Sequence, residues 1–374
     1  MATTTRRKAV KKKVSKGKKR QQRKIRTSER SSFKACRWQW LQGYLHRLSP
    51  IQEAPALKFG TLVHEALEVR YPPGIKRGPK PAETFEKLFM KQLKHEEEVL
   101  KIKADGEWED MLDLGIQMLE GYVEKYGKDE DWKVIASEMT FKVPVFLPAE
   151  FQSPLLFGLD LTSKQIDGKQ PIFYYVGTMD GVWENRMDGG VRINDYKTTS
   201  SDPTKEAMGK SILDEQASAY WTWGADYLIT EGLLKPSLIS RLDGMLYTFL
   251  YKARRDERET NHLGQALNKD GTVSKKQPVP RFHRELVYRS ETEREKARER
   301  VVQEWIDMEL VAKGIMSPYK SPETGTMGHC GYCSFRDMCE LDESGGDVEL
   351  MQAASMTTWN PYDAHEIKDA EQRR

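Results

Sequence analysis

Residues 133–199 constrain the fold of this chain most, because three strand-like stretches follow one another there. The stretches are KVIASEMTFKVPVF, PIFYYVGTMDGVWE and GGVRINDYKTT. All three are rich in the β-branched and aromatic residues that favour strands, and turn residues separate them. Consecutive strands of this kind predict a sheet in the middle of the chain.

Helical patterns flank the predicted sheet on both sides in the sequence. Apolar residues recur at helical spacing over 27–48, 59–71 and 82–126 before the strands, and over 214–233 and 291–314 after them. Two late strands are predicted at 243–253 and 281–289. The order predicts an α/β fold in which one central sheet is flanked by helical material.

The chain divides into five predicted regions. They are a disordered basic tail over 1–30, an N-terminal helical region over 31–130, a core over 131–290, a C-terminal helix with a cysteine loop over 291–342, and a loose tail over 343–374. The first region holds 14 of the 60 lysines and arginines against one acid, Glu29. With almost nothing apolar to bury, it is expected to be disordered. A solubilising tail, an electrostatic tether to nucleic acid and a nuclear-type signal are the three interpretations.

Composition excludes a membrane protein and favours a soluble one. Hydrophobic residues make up 38% and charged residues 31%, and no run reaches the roughly 18 apolar residues that a membrane helix needs. The N-terminus lacks the apolar centre of a signal peptide. We therefore expect a cytoplasmic location, in a bacterium or a phage-infected host, and no membrane partner.

Two acidic residues are expected to meet in the predicted sheet. Asp195 and Lys197 are two apart on one strand, so their side chains point to the same face. Asp180 lies on the preceding strand between Gly177 and Gly181, which we expect to let a ligand approach the backbone. If the two strands pair as a hairpin, Asp180 approaches Asp195. Two carboxylates in one place favour a bound hard divalent cation such as Mg²⁺ or Mn²⁺.

Together with two further motifs, these residues resemble the RecB-like branch of the PD-(D/E)XK nuclease superfamily, which includes CRISPR-adaptation exonucleases and AddB-type nuclease domains. That branch has, in order, G-x-x-x-H on a helix, G-x-x-D and D-x-K on strands, and Q-x-x-x-Y on a helix. This chain has GTLVH ending at His64, GTMD ending at Asp180, DYK from Asp195 to Lys197, and QASAY from Gln216 to Tyr220. The resemblance covers roughly residues 30–340.

The resemblance implies a restriction-endonuclease-like core, with a central mixed sheet flanked by helices, that hydrolyses DNA. It implies that His64, Asp180 and Asp195 hold Mg²⁺ or Mn²⁺, which acidifies a water and shields phosphate charge. Lys197 would then orient that water, and Gln216 and Tyr220 would position the DNA strand. Glu138 is interpreted as structural, with a supporting role as the alternative.

The absence of a motor sequence shapes the expected substrate and partners of such an enzyme. The resemblance implies an exonuclease, and the absence of a motor favours single-stranded DNA or DNA ends as its substrate, alone or with a helicase, recombinase or CRISPR-adaptation partner. The alternatives are a non-catalytic DNA-binding protein with a nuclease-like fold and a zinc-stabilised nuclease.

Four cysteines predict a metal or cluster site, since disulfides are rare inside cells. Cys330, Cys333 and Cys339 form a compact triplet, and Cys36 lies almost 300 residues away. One interpretation is a zinc site that takes His329 or Cys36 as its fourth ligand. The other is a [4Fe–4S] cluster held by all four thiolates, which also resembles the iron–sulfur members of the same branch. Such a cluster would staple the two ends of the chain around the core.

Overall fold

The computed structural model of the chain describes residues 23–51, 55–98, 106–149, 151, 154–209, 214–324 and 328–363. Its helices are α1 (Thr27–Ala35), α2 (Arg37–Trp40), α3 (Pro55–Arg70), α4 (Pro81–Glu98), α5 (Gly106–Tyr126), α6 (Ser163–Ile166), α7 (Pro203–Gly209), α8 (Glu215–Ala219), α9 (Ala225–Thr230), α10 (Pro236–Ile239), α11 (Glu291–Ala312), α12 (Arg336–Glu343) and α13 (Val348–Ser355). Short π-helical segments, Leu41–Leu45 and Tyr220–Gly224, continue α2 and α8. None of the described helices is long and apolar enough to cross a membrane.

Six strands form a mixed central sheet, which confirms the expected α/β class. The strands of the chain are β1 (Lys24–Ile25), β2 (Leu48–Pro50), β3 (Trp132–Val145), β4 (Phe173–Asn185), β5 (Val191–Thr199), β6 (Leu242–Tyr251), β7 (Phe282–Tyr288) and β8 (Met356–Thr358). The sheet runs β1-β4-β5-β6-β7, and β3 pairs with the other edge of β4. The β1–β4 and β5–β6 pairs are parallel and the others antiparallel.

Strand β4 is the centre of the sheet because three strands share its two edges. β3 pairs along nearly all of one edge, from Phe173 to Asn185. On the other edge, β1 pairs at 174–175 and β5 pairs only at 181–184. The edge of β4 between these two partners borders an open slot in the sheet.

Both faces of the sheet are covered, as burial of its apolar side chains requires. One core packs strand residues such as Met179 and Phe249 against α11 and the segment around Trp223. The second core packs residues such as Trp183 and Tyr196 against α3, α4 and α5. The sheet therefore sits between two helical layers, and the polar site lies among its strands.

The N-terminal region is ordered earlier in the chain than its basic composition predicts. The tail expected over 1–30 is wrong for residues 23–30, where β1 and the first turn of α1 form; residues 1–22 lie outside the described part. The reason is long-range pairing, since Arg30 donates to Glu304 of α11 at 2.5 Å and Arg23 donates to Glu309 of the same helix. Buried charges persist only when they are paired in this way.

The C-terminal region is also more ordered than expected. The loose tail predicted over 343–374 is wrong for residues 348–358, which form α13 and β8. β8 pairs antiparallel with β2, and the Trp359 indole donates to the Gly43 carbonyl at 3.0 Å. Residues 364–374 lie outside the described part of the chain. Contacts with residues more than 300 positions away therefore order this end.

Candidate active site

The strand registers place three carboxylates in a row across the sheet. Ser137 pairs with Gly181 and Met139 with Met179, so Glu138 on β3 stands across from Asp180 on β4. Gly181 pairs with Asn194, which puts Asp180 and Asp195 at neighbouring positions of the β4–β5 hairpin. The backbone N–H of Tyr196 donates to Asp180 Oδ2 at 2.7 Å and closes this end of the hairpin. The expected approach of Asp180 to Asp195 is confirmed.

Glu138 belongs to the polar cluster, which is not what its interpretation as a structural residue implies. One ligand atom from each of Glu138, Asp180 and His64 lies within 4.8 Å of the others. Glu138 also has a φ of 45°, the left-handed region that non-glycine residues seldom occupy within a strand. Strained backbone of this kind clusters at functional sites. The sequence signal was a single Glu in a strand, which by itself does not indicate a functional residue.

Helix α3 delivers His64 to the cluster. The helix packs on the sheet through residues such as Val63 and Leu67, which are fully buried in the second core. His64 Nδ1 lies 3.3 Å from Asp180 Oδ2, and the imidazole meets the Tyr196 ring edge-on. A histidine and two carboxylates are ligands that Mg²⁺ and Mn²⁺ sites use, with carboxylate oxygen preferred.

Asp195 is the most deeply buried acid of the row. Its side chain is 1% exposed, and Lys197 Nζ lies 2.7 Å from Oδ2. Among the described residues, neither carboxylate oxygen receives a hydrogen bond of good geometry. Burial, with repulsion from Asp180, raises the pKa of Asp195 to about 6 although Lys197 opposes the rise. A buried carboxylate with unfilled oxygen positions fits a divalent cation at this place.

In the absence of a cation, attraction between opposite charges shifts the pKa values of the other three charged groups toward their charged forms. Burial by itself raises the pKa of Asp180, but attraction to His64 and Lys197 outweighs it and leaves that pKa lowered. Burial by itself lowers the pKa of His64, but attraction to Asp180 outweighs it and leaves that pKa raised. For Lys197, the carboxylates of Asp195 and Asp180 overcome burial and raise its pKa. The site therefore concentrates positive and negative groups that depend on one another.

A chain of hydrogen bonds links Lys197 to helix α8. Lys197 Nζ donates to Gln216 Oε1 at 2.6 Å, and Gln216 Nε2 donates to the Tyr220 hydroxyl at 2.8 Å. Asp214 caps the helix by accepting from the backbone N–H of Ala217 at 2.8 Å. The structure thus brings Gln216 and Tyr220 to the site, and the π-helical segment that begins at Tyr220 is a feature common at functional sites.

A cleft of about 810 Å³ opens beside Gln216 and Tyr220. Its lining comes from α1 and the residue before it, the slot edge of β4 and the start of α8, and includes Arg26, Ser31, Lys34, Gly177, Thr178, Gln216 and Tyr220. Asp214 and Glu215 also line the cleft, and Lys34 pairs with Glu215. The lining is therefore mixed in charge, and Arg26 and the hydroxyl groups are the ones that can meet a phosphate.

The glycines around Asp180 have a packing role that the sequence did not indicate. A Cβ at Gly177 would lie 2.5 Å from the Phe141 ring, and one at Gly181 would lie 2.6 Å from the Trp183 indole. Both glycines therefore make room for core aromatic side chains of the sheet. Gly177 also lines the cleft, so the expectation that a ligand approaches the backbone here stays a prediction.

The four cysteines gather where the two ends of the chain meet. Cys36 is buried between α1 and α2, while Cys330, Cys333 and Cys339 surround the start of α12. Burial raises the pKa of the Cys333 thiol, and the charges of the other three cysteines add to the rise. Cys36 therefore lies within electrostatic range of the triplet. The Glu323 N–H donates to Cys330 Sγ at 3.2 Å.

In the described part of the chain, no three of these sulfur atoms lie within 4.8 Å of one another. A single tetrahedral zinc ion would bring its thiolates to about 3.8 Å, from the Zn–S bond length. No three of the sulfur atoms are therefore as close together as the thiolates of a bound zinc ion.

Comparison with known proteins agrees with the site. No curated protein gives a significant match to the sequence. The sequence model of the PD-(D/E)XK nuclease superfamily, however, matches residues 27–340, a span that begins at α1 and ends in α12 and so includes every residue of the polar row. The chain belongs to the PD-(D/E)XK nuclease superfamily.

Proposed function

We propose that this protein is a metal-dependent DNA exonuclease that acts on single-stranded DNA or DNA ends. The observation that carries the proposal is the row Glu138–Asp180–Asp195, with Lys197 2.7 Å from the last carboxylate. Three acids in adjacent strands and one ammonium provide both a cation site and a group that can act on a phosphate. The cleft of about 810 Å³ beside Gln216 and Tyr220 supports a polymer chain as substrate.

His64, Glu138, Asp180 and Asp195 would hold Mg²⁺ or Mn²⁺, which supplies an acidified water and shields phosphate charge. Lys197 stays protonated because the two aspartates raise its pKa. Its ammonium stabilises negative charge that builds on the phosphate oxygens. Gln216 fixes the ammonium by accepting its hydrogen bond, and Tyr220 fixes Gln216 in turn. The catalytic groups are thereby preorganised before substrate binds.

The cysteines are proposed to hold a structural [4Fe–4S] cluster. The fold supports this because Cys36 follows α1 and the triplet precedes or lies in α12, while a small apolar core of Leu48, Phe335 and Met338 packs beside them. Lys320 Nζ, which donates to the Cys339 carbonyl at 3.3 Å, places a cation near the thiolates. A cluster there would link the two chain ends that β2 and β8 already pair.

Its setting is proposed from the same features. The exonuclease would work in the cytoplasm of a bacterium or phage-infected host, where the thiols stay reduced and can bind iron. Duplex substrates would need opening by a helicase, a recombinase or a CRISPR-adaptation partner. Overhangs and single strands would need none.

The test compares linear and circular single-stranded DNA of one sequence, with Mn²⁺, Mg²⁺ or EDTA. We expect metal-dependent loss of linear DNA while the circle survives. Lys197→Met should slow cleavage by about 10²- to 10³-fold, whereas the matched variant Lys142→Met, on the exposed side of β3, should not. Cleavage of the circle would overturn the exonuclease assignment. DNA binding without cleavage under any metal would favour the non-catalytic alternative.

A further inference from the structure

The segment between β6 and β7, residues 252–281, leaves the sheet beside the candidate site. β5 and β6 are parallel, so their carboxyl ends lie at the same edge of the sheet. The Lys252 N–H donates to the Thr199 carbonyl at 2.7 Å, and Thr199 follows Lys197 by two residues on β5. We name residues 252–281 the finger. Its first residue is thus joined to the strand that carries Asp195 and Lys197.

The finger has a repeated internal structure. Two successive seven-residue loops, 260–266 and 267–273, are each closed by a β-bridge between their first and last residues. Each has Asn at its second position and Gly at its fifth, and the glycine N–H donates to the asparagine carbonyl at 2.9 Å. Both glycines have a positive φ, 74° at Gly264 and 80° at Gly271, which favours glycine there. The repeat gives the finger a defined shape with little apolar burial.

Polar contacts fix the finger internally and hold its base. Gln277 folds back, donating to the Ser274 carbonyl at 2.6 Å and accepting from the Ala266 N–H at 2.7 Å. At the base, Arg254 donates to Asp110 at 2.8 Å and to Asp113 at 3.0 Å, both on α5. A segment held at this many points presents its outer side chains at fixed positions.

The outer side chains of the finger are cationic. The finger contains eight lysines and arginines and four acids. The arginines near its base pair with acids, as Arg255 does with Glu124 and Arg258 with Asp256. Lys269, Lys275 and Lys276 are exposed and form no ion pair with any residue in the described ranges. Positive charge is therefore neutralised at these arginines and left free at the three lysines, and Arg258 holds the backbone at Lys276 by donating to its carbonyl at 3.0 Å.

We propose that the finger binds the sugar–phosphate backbone of the DNA strand at the candidate site, through Lys269, Lys275 and Lys276. The inference rests on the proposed function, which supplies DNA as the substrate. Unpaired lysines on a fixed support bind phosphates without reading sequence. Leu263, in the first loop and 70% exposed, adds an apolar surface that suits the sugar and base faces of a single strand.

The test measures binding separately from cleavage. Fluorescence anisotropy of a labelled 30-nucleotide single strand is recorded in EDTA over a range of salt concentrations. We expect Lys269→Glu, Lys275→Glu and Lys276→Glu combined to weaken binding at least tenfold at about 0.1 M salt and to lower the salt slope by about 2, because each single-strand phosphate contributes about 0.7. The matched control reverses three exposed lysines of α4, Lys87, Lys91 and Lys94, with the same change in net charge.

Hydrolysis of a small phosphodiester, bis(p-nitrophenyl) phosphate, with Mn²⁺ reports on the metal site alone. The finger variant should retain it, since none of its three lysines belongs to that site. Equal affinities and slopes for wild type and finger variant would overturn the proposal, as would an equal loss in the α4 control. If the wild type binds DNA through the finger but hydrolyses neither substrate, the proposed function fails while the finger assignment stands. If the finger variant binds DNA as the wild type does but binds an acidic protein more weakly, the partner of the finger is an acidic protein and not DNA.

Discussion

Glu138 faces Asp180 across two antiparallel strands, and it does so with a left-handed backbone, φ 45°. A conformation that costs about 1 to 3 kcal/mol in a non-glycine residue is retained where it places a side chain usefully. Here it brings a carboxylate to within 4.8 Å of a histidine and a second carboxylate. The geometry makes Glu138 a metal ligand candidate, and separate measurements can distinguish its backbone cost from its side-chain role.

Glu138→Gly and Glu138→Ala separate the two effects. Both remove the carboxylate, so both should lose most of the rise in Tm that Mn²⁺ gives the wild type. Only glycine relieves the left-handed backbone, so metal-free Glu138→Gly should be more stable than Glu138→Ala by about 1 kcal/mol. Thermal unfolding with EDTA and with Mn²⁺ measures both quantities. A full Mn²⁺ response in either variant would remove Glu138 from the site.

The buried Asp195 predicts an unusual pH dependence of stability. Its pKa is about 6 in the folded protein against an ordinary value of 3.8. Between these values the unfolded chain has released a proton that the folded chain keeps, so stability falls as pH rises from about 4 to 6. Asp195→Asn should abolish this fall and stabilise the metal-free protein by about 1 to 3 kcal/mol at pH 7.

The measurement for Asp195 is Tm against pH in EDTA for wild type and variant, together with DNA cleavage in Mn²⁺. The variant should gain stability and lose cleavage, because a site that binds a cation is strained without it. Parallel Tm profiles for the two proteins would show that Asp195 titrates as an ordinary acid. Retained cleavage would remove it from the catalytic group.

A [4Fe–4S] cluster and a zinc ion at the cysteine site can be distinguished by which residues the bound metal requires. With a [4Fe–4S] cluster, replacing any one of the four cysteines by serine should lower the iron content and the absorbance near 400 nm, roughly the region where such clusters absorb. Cys36→Ser should match the triplet variants, and His329→Ala should leave both signals intact. Zinc in the purified protein, with His329 required and Cys36 dispensable, would exclude the cluster.

Some of this structure could be predicted from the sequence, and the limits have physical causes. The approach of Asp180 to Asp195 follows from local hairpin pairing and strand alternation, which a sequence displays. The place of Glu138 depends on a left-handed residue inside a strand, close to the register shift between Val134 and Ala136, which no local sequence pattern marks. The roles of Gly177 and Gly181 depend on which aromatic rings lie over them.

The ordered structure at the two chain ends also could not be predicted from local sequence patterns. Arg30 is held by Glu304, and the Tyr362 hydroxyl donates to the Lys24 carbonyl at 2.7 Å. These pairs join residues about 270 or more positions apart, so composition alone reads both segments as tails. The finger, in contrast, carries its own signal, since Asn-x-x-Gly occurs twice at a spacing of seven residues.

The hydrogen bond of Tyr220 predicts an effect on catalysis that comes only from the orientation of Gln216 and Lys197. Its hydroxyl accepts from Gln216 Nε2, and Gln216 Oε1 accepts from the Lys197 ammonium. Tyr220→Phe keeps the ring against Phe141 but removes the acceptor, so the amide of Gln216 loses the bond that sets its orientation. A neutral hydrogen bond contributes about 0.5 to 1.5 kcal/mol, so kcat should fall about tenfold at most. KM for single-stranded DNA and Mn²⁺ affinity should stay unchanged.

Gln216→Ala removes both hydrogen bonds and should lower kcat further than Tyr220→Phe does. Adding Tyr220→Phe to Gln216→Ala should have no extra effect, because Tyr220 acts on Lys197 only through Gln216. Tyr288→Phe, at an exposed tyrosine of β7, is the matched control. Single-turnover cleavage of end-labelled DNA measures the chemical step in all four variants. A fall in DNA affinity without a fall in rate would mean that Tyr220 contacts the strand directly, and additive losses in the double variant would mean that the two residues act independently.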